Sequence, residues 1–196
     1  SRVLINGEPT ESTLAVGTKG AMRFTLTTHG QAAHSAYPHL GKSALADMVR
    51  LLAEMEMLDL PSDAMLGDTT INIGLIEGGV ADNVMAPRAD ARLMARLVTS
   101  PDELETRLRA WIANRADYER GITVPYVRLG TLPGFLTSVA AYATDIPKLG
   151  NWGKPFLFGP GSIHVAHRDD EFIAIPELRA AVDAYVTIAR SALATL

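Results

Sequence analysis

Apolar and polar residues alternate along parts of this chain in the way expected of half-buried strands. Apolar side chains occupy every second position over residues 22–28, and residues 70–76 place Ile71, Ile73 and Leu75 on one face. A sheet built from such strands has one covered face and one open face. The pattern therefore predicts a sheet with a layer packed against one side.

Two serines mark the starts of helices that have one apolar face. Ser43 precedes an apolar stripe at helical spacing, and Ser100 stands before Pro-Asp-Glu, which forms a capping box. Further strands are predicted over residues 89–98 and 122–129. The order across residues 20–130 is therefore strand, helix, strand, strand, helix, strand. This is the ferredoxin-like order, an antiparallel sheet with two helices on one face.

The two ends of the chain have a different layout. Residues 3–5 predict a buried strand, 17–20 a turn-rich hinge, 139–144 a helix, 155–158 another apolar strand, and 176–193 a long amphipathic helix. We therefore interpret the middle block as a domain inserted into a second domain.

The predicted fold class is α/β, with segments at residues 1–18, 19–132 and 133–196. The first and last segments would belong to one α/β domain, and the middle segment would be the inserted ferredoxin-like domain. Because a buried strand begins almost directly after Ser1, we expect the chain to be part of a longer protein.

The composition argues against several classes of protein. Of the 196 residues, 47% are hydrophobic and 20% are charged, which is typical of a globular protein with a real core. The net charge of −4 argues against a nucleic-acid-binding surface, and no apolar run is long enough to span a membrane. Since the chain has no cysteine, a metal ion would need histidine and carboxylate ligands. These features fit a cytoplasmic protein.

Five side chains stand where chemistry is expected. Glu8 follows the first strand, His34 lies in a histidine-rich loop, Asn83 follows two glycines, Arg96 stands in an apolar strand, and His167 follows a glycine-rich loop. An arginine in an apolar strand needs either a buried acid or a substrate carboxylate as its partner. Taken singly, each of the five also has an ordinary structural explanation as a turn, surface-loop or ion-pair residue.

The glycine-rich loop, residues 159–162, directly follows the apolar strand and leads to His164 and His167. Loops at the carboxyl ends of strands are where α/β proteins bind ligands, and glycines let backbone N–H groups approach a ligand closely. The alternatives are a ligand pocket and an ordinary connection with solvated histidines.

Four motifs in order resemble the M20 metallopeptidase family. They are Val-Leu-Ile-Asn-Gly-Glu-Pro-Thr (3–10), Gly-Gln-Ala-Ala-His-Ser-Ala-Tyr-Pro-His-Leu-Gly-Lys-Ser-Ala (30–44), Gly-Gly-Val-Ala-Asp-Asn-Val (78–84) and Phe-Gly-Pro-Gly-Ser-Ile-His-Val-Ala-His-Arg-Asp-Asp-Glu-Phe (158–172). Within that family the chain most resembles the acetylornithine deacetylase and succinyl-diaminopimelate desuccinylase group. The resemblance covers essentially the whole chain.

The resemblance implies an α/β catalytic domain that hydrolyses amide bonds of small N-acyl amino acids or dipeptides. It implies one or two zinc ions, with cobalt or manganese as alternatives. It also implies that the inserted ferredoxin-like domain forms a lid and a homodimer contact. A zinc-bound water would have a pKa near neutrality, and the ion would polarise the acyl carbonyl.

Roles for particular residues follow from the matching motifs. Glu8 matches a carboxylate zinc ligand and His167 a histidine ligand, each for a different ion. His34 matches a lid histidine that reaches the partner subunit's active site and stabilises the tetrahedral oxyanion. Asn83 and Arg96 match positions that contact the substrate carboxylate.

The backbone of Gly161 and Ser162 matches the loop that lines the substrate pocket, whereas His164 matches no ligand position. The family's His-x-Asp ligand pair and its Glu-Glu pair, which includes the general base, precede the Gly-Glu-Pro motif and have no counterpart here. We therefore expect the chain by itself to be inactive. The alternatives are a non-catalytic dimerisation or lid module, and a dipeptidase or aminoacylase of the same family.

Overall fold

The computed structural model describes residues 1–195. The strands are β1 (Val3–Asn6), β2 (Leu14–Thr18), β3 (Gly20–His29), β4 (Ser62–Asp63), β5 (Gly67–Asp68), β6 (Thr70–Gly78), β7 (Arg88–Leu97), β8 (Asp117–Val124), β9 (Val127–Arg128), β10 (Thr137–Ala140) and β11 (Lys154–Leu157). The α-helices are α1 (Ala44–Glu54), α2 (Pro101–Ile112) and α3 (Ile175–Ala194). None of the helices in this part of the chain is long and apolar enough to cross a membrane.

The chain divides into two compact units. One, which we call the sheet unit, contains Ala21–Asp63 and Gly67–Thr123. The other, which we call the flanking unit, contains Ser1–Gly20, Ala64–Leu66 and Val124–Leu196.

The main sheet of the sheet unit has the strand order β6-β7-β3-β8. Helix α1 connects β3 to β6, and α2 connects β7 to β8, which gives the ferredoxin-like topology that the sequence predicts. Strand β6 pairs antiparallel with β7, and β6 and β8 are the two edges. The predicted mixed α/β fold is confirmed.

Serine caps begin both helices of the sheet unit, as predicted. The Ser43 side chain accepts a hydrogen bond from the Ala46 N–H at 3.3 Å, and the Ser100 side chain accepts one from the Glu103 N–H at 3.2 Å. Each bond satisfies an N–H group that the first turn of a helix would otherwise leave unpaired.

Alternate side chains of β3 and β7 form the core of the sheet unit with one face of each helix. The intervening residues of β7, such as Arg92 and Arg96, lie on the open face of the sheet. The buried residues of this core are Met22, Phe24, Leu26, Ala44, Met48, Leu51, Leu52, Met55, Ala89, Ala91, Leu93, Ala95, Leu97, Leu104, Leu108 and Ile112.

A β-bulge at Gly74 changes which side chains of β6 share a face. Ile73 is paired with Leu93, but Leu75 is paired with Arg92, so Gly74 is the extra residue. Leu75 therefore lies on the open face with Arg92, and the predicted common face is wrong at Leu75. A glycine inside a strand is a typical site for such a bulge.

The flanking unit contains two small sheets and the long helix α3. Strand β1 pairs parallel with β11, and β2 pairs parallel with β10 and antiparallel with β9. One buried cluster consists of Leu14, Leu132, Phe156, Phe158, Ala181, Ile188 and Ala192. The other consists of Leu4, Ala15, Ala140, Ile146 and Leu157.

Three predicted elements differ from the structure. The predicted helix at 139–144 is wrong, because its first two residues end strand Thr137–Ala140, which pairs with β2, although three alanines in 139–144 favour a helix. The turn predicted at 17–20 is wrong, because Gly17 and Thr18 end β2 and Gly20 begins β3, but the boundary between the two units does lie directly after Gly20. The strand predicted at 122–129 corresponds to two strands, the end of the edge strand Asp117–Val124, whose charged and exposed residues hide the alternation, and the short strand Val127–Arg128.

Candidate active site

The loop that carries His34 lies beside the turn that carries Asn83. The Ser35 N–H donates to the Asn83 carbonyl at 2.9 Å, and the Met85 N–H donates to the Ala33 carbonyl at 2.9 Å. His34 and Val84 form an isolated antiparallel bridge between these bonds. The structure therefore brings two of the predicted site residues, His34 and Asn83, to the same end of the sheet unit.

The His34 imidazole is exposed but has defined neighbours. The Ala36 N–H donates to His34 Nδ1 at 3.2 Å. The ring of Tyr37 meets the imidazole edge-on, with 6.2 Å between the ring centroids. The Nδ1 side of His34 is thus engaged by its own loop.

Arg96 lies at the other end of strand β7. It is paired with Thr70, whereas Ala89 near the start of β7 is paired with Gly78 at the end of the hairpin that leads to Asn83. At ~3.3 Å per residue, these two ends of the strand are roughly 23 Å apart. The structure therefore does not bring Arg96 together with His34 and Asn83 within one chain.

The Arg96 side chain lies on the open face of the sheet between the fully buried Ala95 and Leu97. It is half-buried, and within residues 1–195 it has no ion pair or hydrogen-bond partner. By contrast, its neighbour Arg92 on the same face pairs with Glu77 at 3.4 Å. Arg96 is therefore available to an anionic group.

In the flanking unit, Glu8 stands in the turn that follows β1. Its N–H donates to the Asn6 side-chain oxygen at 3.3 Å, and the side chain is half-buried. The Tyr142 hydroxyl donates to the Pro9 carbonyl at 2.5 Å. Burial, and then the charge of Glu8, raise the pKa of Tyr142 to about 12. Glu8 thus lies close enough to this phenol to disfavour its ionisation.

Backbone hydrogen bonds join the segment after Glu8 to the glycine-rich loop. The N–H groups of Thr10 and Ser12 both donate to the Gly159 carbonyl at 3.0 Å, and the Glu11 N–H donates to the Gly161 carbonyl at 2.9 Å. A Cβ on Gly159 would lie 2.3 Å from the Glu8 carbonyl oxygen. Glycine is therefore required there for the two segments to approach this closely.

Two carboxylates that sequence reasoning missed hold this loop. Glu177 Oε1 accepts the Gly161 N–H at 2.7 Å and the Ser12 hydroxyl at 3.3 Å. Glu11 Oε1 accepts the Ser162 hydroxyl at 2.9 Å. The position of Glu177 in the first turn of α3 was the available signal, because acidic residues there can reach back to a preceding loop.

A cavity of about 240 Å³ lies beside the Glu8 turn. Its lining includes Thr13, Ser138, Tyr142 and His164, but not Gly161 or Ser162. His164 is exposed in a short 3₁₀ turn, with its N–H donating to the Ser162 side chain at 3.3 Å.

His167 has a left-handed backbone conformation with φ of 65°, which is uncommon for a residue other than glycine. Its N–H donates to Glu171 Oε2 at 3.0 Å. Strained conformations of this kind cluster at functional sites. Within residues 1–195, however, no group of three or more His, Cys, Asp or Glu side chains is arranged to hold a metal ion. Glu8 and His167 do not form a metal centre by themselves.

Comparison with known proteins identifies relatives across nearly the whole chain. A probable carboxypeptidase of Paracoccidioides brasiliensis (strain Pb03) is 40% identical over 207 residues, which cover 93% of this chain and 47% of that protein. A peptidase M20 domain-containing protein of Schizosaccharomyces pombe is 40% identical over 190 residues, which cover 93% of this chain and 46% of that protein. The chain spans about half the length of these curated relatives.

Solved structures share the fold at lower identity. Aminopeptidase PepT from Bacillus cereus matches with a TM-score of 0.69 and 16% identity, covering 97% of this chain and 57% of that one. An amidase of the hydantoinase/carbamoylase family from Burkholderia multivorans matches with a TM-score of 0.72 and 16% identity, covering 97% and 55%. The model of the M20 peptidase dimerisation domain matches residues 16–119. The chain therefore belongs to the M20 peptidase family, and this match is to its dimerisation domain.

Proposed function

We propose that this chain is part of an M20 metallo-amidohydrolase that cleaves an amide bond close to a free carboxylate of a small substrate. The observation that supports this most strongly is the half-buried Arg96, which has no partner within residues 1–195. A guanidinium in that state suits bidentate pairing with a carboxylate. The relatives match 93% of the chain, well beyond the dimerisation domain, which favours an enzyme over a non-catalytic dimerisation or lid module.

Two substrate classes present such a carboxylate. One is an N-acyl amino acid, as in the acetylornithine deacetylase and succinyl-diaminopimelate desuccinylase group, and the other is a peptide with a free C-terminus. The name of the Paracoccidioides relative, a probable carboxypeptidase, favours the peptide. The test is a substrate panel of N-acetylornithine, N-succinyl-diaminopimelate and dipeptides on the full-length gene product. Each substrate is paired with its C-terminal carboxamide, and a carboxamide hydrolysed as fast as its acid would contradict the proposal.

A homodimer would complete the substrate site. Strand β6 is a nine-residue edge strand with partly exposed apolar residues at Ile73, Leu75 and Ile76, a kind of edge that proteins rarely leave uncovered. Antiparallel pairing of β6 with the β6 of a second copy would place the Asn83 hairpin of one subunit beside Arg96 of the other. His34 and Asn83 from one subunit would then serve the same substrate as Arg96 from its partner.

Mixed dimers test this shared site. We expect His34→Phe and Arg96→Ala each to be nearly inactive as homodimers. When the two variants are unfolded and refolded together, half of the dimers should be mixed. Each mixed dimer would have one intact site out of two, so about a quarter of the wild-type activity should return. No recovery despite mixed-dimer formation would contradict a site shared between subunits.

Within this site His34 would donate a hydrogen bond to the oxyanion that forms on the acyl oxygen. A donor aimed at developing negative charge stabilises the transition state more than the ground state. Asn83, beside it, would orient the substrate, and Gly161 and Ser162 would line the pocket.

Zinc is the metal that we propose for the complete enzyme, as one or two ions, with cobalt or manganese as alternatives. Glu8 and His167 would each supply one ligand, to different ions. Because residues 1–195 hold no three-ligand group, we expect the 196-residue chain by itself neither to bind zinc tightly nor to hydrolyse an N-acetyl amino acid. A calorimetric titration with zinc checks this, and tight stoichiometric binding with hydrolysis would contradict it.

A further inference from the structure

We propose that the Ala36 amide and the Tyr37 ring are positioning groups that hold the His34 imidazole in one tautomer, with the lone pair on Nδ1 and the proton on Nε2. The role of His34 in hydrolysis rests on the proposed function, but the tautomer does not. The inference concerns the groups around His34 and the chemistry that they permit.

The hydrogen bond from the Ala36 N–H to His34 Nδ1 determines the tautomer. A backbone N–H can only donate, so at 3.2 Å the Nδ1 atom must accept with its lone pair. In a neutral imidazole one nitrogen accepts and the other carries the proton. The proton therefore lies on Nε2. The opposite tautomer would set two N–H groups against each other and leave the Ala36 amide without its acceptor.

Tyr37 limits rotation of the His34 ring. The two rings meet at an interplanar angle of 63° with centroids 6.2 Å apart, within the range of edge-to-face aromatic pairs. On its other side Tyr37 meets the His39 ring at 81° and 6.3 Å. The tyrosine thus stands between two imidazoles and restricts the orientation of both.

The loop is rigid enough for this arrangement to persist although its side chains are exposed. Gln31 and Lys42 exchange two backbone hydrogen bonds at 2.8 and 2.9 Å across the base of the loop. The Tyr37 N–H donates to the His34 carbonyl at 2.9 Å, closing the turn that contains Ala36. Tyr37 nevertheless leaves 57% of its surface exposed. An ordered loop that presents exposed aromatic groups is typical of a recognition site.

The tautomer decides what His34 can do without any change of protonation. With Nδ1 engaged and Nε2 protonated, the neutral ring presents one outward N–H donor and no outward lone pair. It therefore suits an oxygen acceptor, such as the carbonyl oxygen of an acyl group. It does not suit the work of a general base or of a metal ligand, both of which need a lone pair on the outward nitrogen.

Long-range proton–nitrogen correlation spectra of the ¹⁵N-labelled chain in alkaline buffer test the inference. The His34 signals are assigned by their absence in His34→Gln. We expect the pattern of the Nε2–H tautomer for His34. His39 is the internal control, because its ring contacts the same tyrosine but has no hydrogen bond within residues 1–195. A proton on Nδ1 of His34, or a tautomer mixture equal to that of His39, would overturn the inference.

Two variants separate the positioning groups from general structure. Ala36→Pro removes the donor N–H and should move His34 toward the mixture shown by His39, while the backbone signals of residues 44–54 stay unchanged. Tyr37→Phe should keep the wild-type pattern, whereas Tyr37→Ala should broaden the His34 ring signals. An unchanged His34 pattern in Ala36→Pro would contradict the role of the amide. Since no substrate is used, an inactive enzyme would count against the proposed hydrolysis and not against this tautomer.

Discussion

The two units of this protein hold their candidate residues in different ways. In the sheet unit, His34, Asn83 and Arg96 lie at the ends of a sheet. One face of that sheet packs on a continuous apolar core. In the flanking unit, Glu8 and His167 lie in loops joined by backbone and carboxylate hydrogen bonds.

Backbone strain follows the same division. Glu11, Ser12 and His167 in the flanking unit have positive φ values of 54°, 57° and 65° without being glycine. Among residues 1–195, the sheet unit has one non-glycine residue with positive φ, Ala113 at the end of α2, and it is not one of the candidate residues. Such conformations cost about 1–3 kcal/mol each and persist only where surrounding contacts impose them. Apolar packing therefore positions the candidate residues of the sheet unit, and polar contacts position those of the flanking unit.

Removing a core side chain of the sheet unit should have the largest effect. Phe24 is 1% exposed and its ring packs against Tyr118 with centroids 5.6 Å apart. Phe24→Ala should lower the free energy of unfolding by about 3–5 kcal/mol, measured by urea denaturation of the chain. Val49→Ala, at an exposed position of α1, is the control and should change it by less than about 0.5 kcal/mol. Equal effects of the two variants would mean that this core does not dominate the stability of the unit.

Replacing His34, in the loop at one end of the sheet unit, should affect catalysis instead of stability. In the full-length enzyme, His34→Phe should lower kcat about 10²–10³-fold with little change in KM, because it removes the proposed hydrogen bond to the transition state. His39→Phe, in the same loop, is the matched control and should retain most of the activity. A His34→Phe enzyme with wild-type kcat would remove His34 from the proposed mechanism.

The sequence predicted the sheet unit better than the flanking unit, and the reason is physical. Strands β3 and β7 each bury one face, so apolar and polar residues alternate visibly in their sequences. Ser43 and Ser100 predict the starts of the two helices because capping depends only on neighbouring residues. Strand β10, in contrast, exists because it pairs with β2, a non-local contact that its short sequence Thr-Ser-Val-Ala does not reveal. The edge strand β8 is solvated and lacks a periodic signal.

For the candidate site, motif order indicated which residues to consider but not their distances. The sequence predicted that Asn83 precedes a strand and that Arg96 lies in it, but assigning both to one substrate carboxylate left out the rise of ~3.3 Å per residue, which places them at opposite ends of β7. The carboxylate of Glu11 could not be predicted, because its partner Ser162 lies more than a hundred residues away in the chain, whereas the position of Glu177 in the first turn of α3 was a signal that went unused.

Removing the Glu177 carboxylate, which accepts hydrogen bonds from the glycine-rich loop, should have a moderate effect on the free energy of unfolding. Glu177→Ala leaves the Gly161 N–H and the Ser12 hydroxyl without their acceptor and should lower the free energy of unfolding by about 1.5–3 kcal/mol. Hydrogen exchange of the Gly161 amide should accelerate. Glu177→Gln keeps an acceptor oxygen and should lose less, and Asp183→Ala on the same helix is the control. If Gly161 exchanged at the wild-type rate in Glu177→Ala, another group would be holding the loop.

The smallest effect that we expect concerns a single hydroxyl beside Glu8. Tyr142→Phe removes the hydrogen bond to the Pro9 carbonyl and should lower the free energy of unfolding by about 0.5–1.5 kcal/mol at neutral pH. Tyr118→Phe in the sheet unit should cost less, since within residues 1–195 that hydroxyl has a single hydrogen-bond partner, the Met22 sulfur at 3.9 Å. Urea denaturation of both variants measures the difference, and an equal loss would mean that the Pro9 hydrogen bond contributes nothing.

The same two variants should also change how the free energy of unfolding depends on pH in alkaline solution, and the pKa values give the direction of that change. The pKa of Tyr142 and that of Tyr118 are both raised to about 12, for each chiefly by burial, whereas an unfolded tyrosine titrates near 10. Between these values the folded chain keeps protons that the unfolded chain has lost, so stability falls as the pH rises from about 10 to about 12. Phenylalanine has no proton to lose, so each variant should show a shallower alkaline decline than the wild type. A decline as steep as that of the wild type in Tyr142→Phe would show that this phenol, and the Glu8 charge beside it, do not control the alkaline stability of the flanking unit.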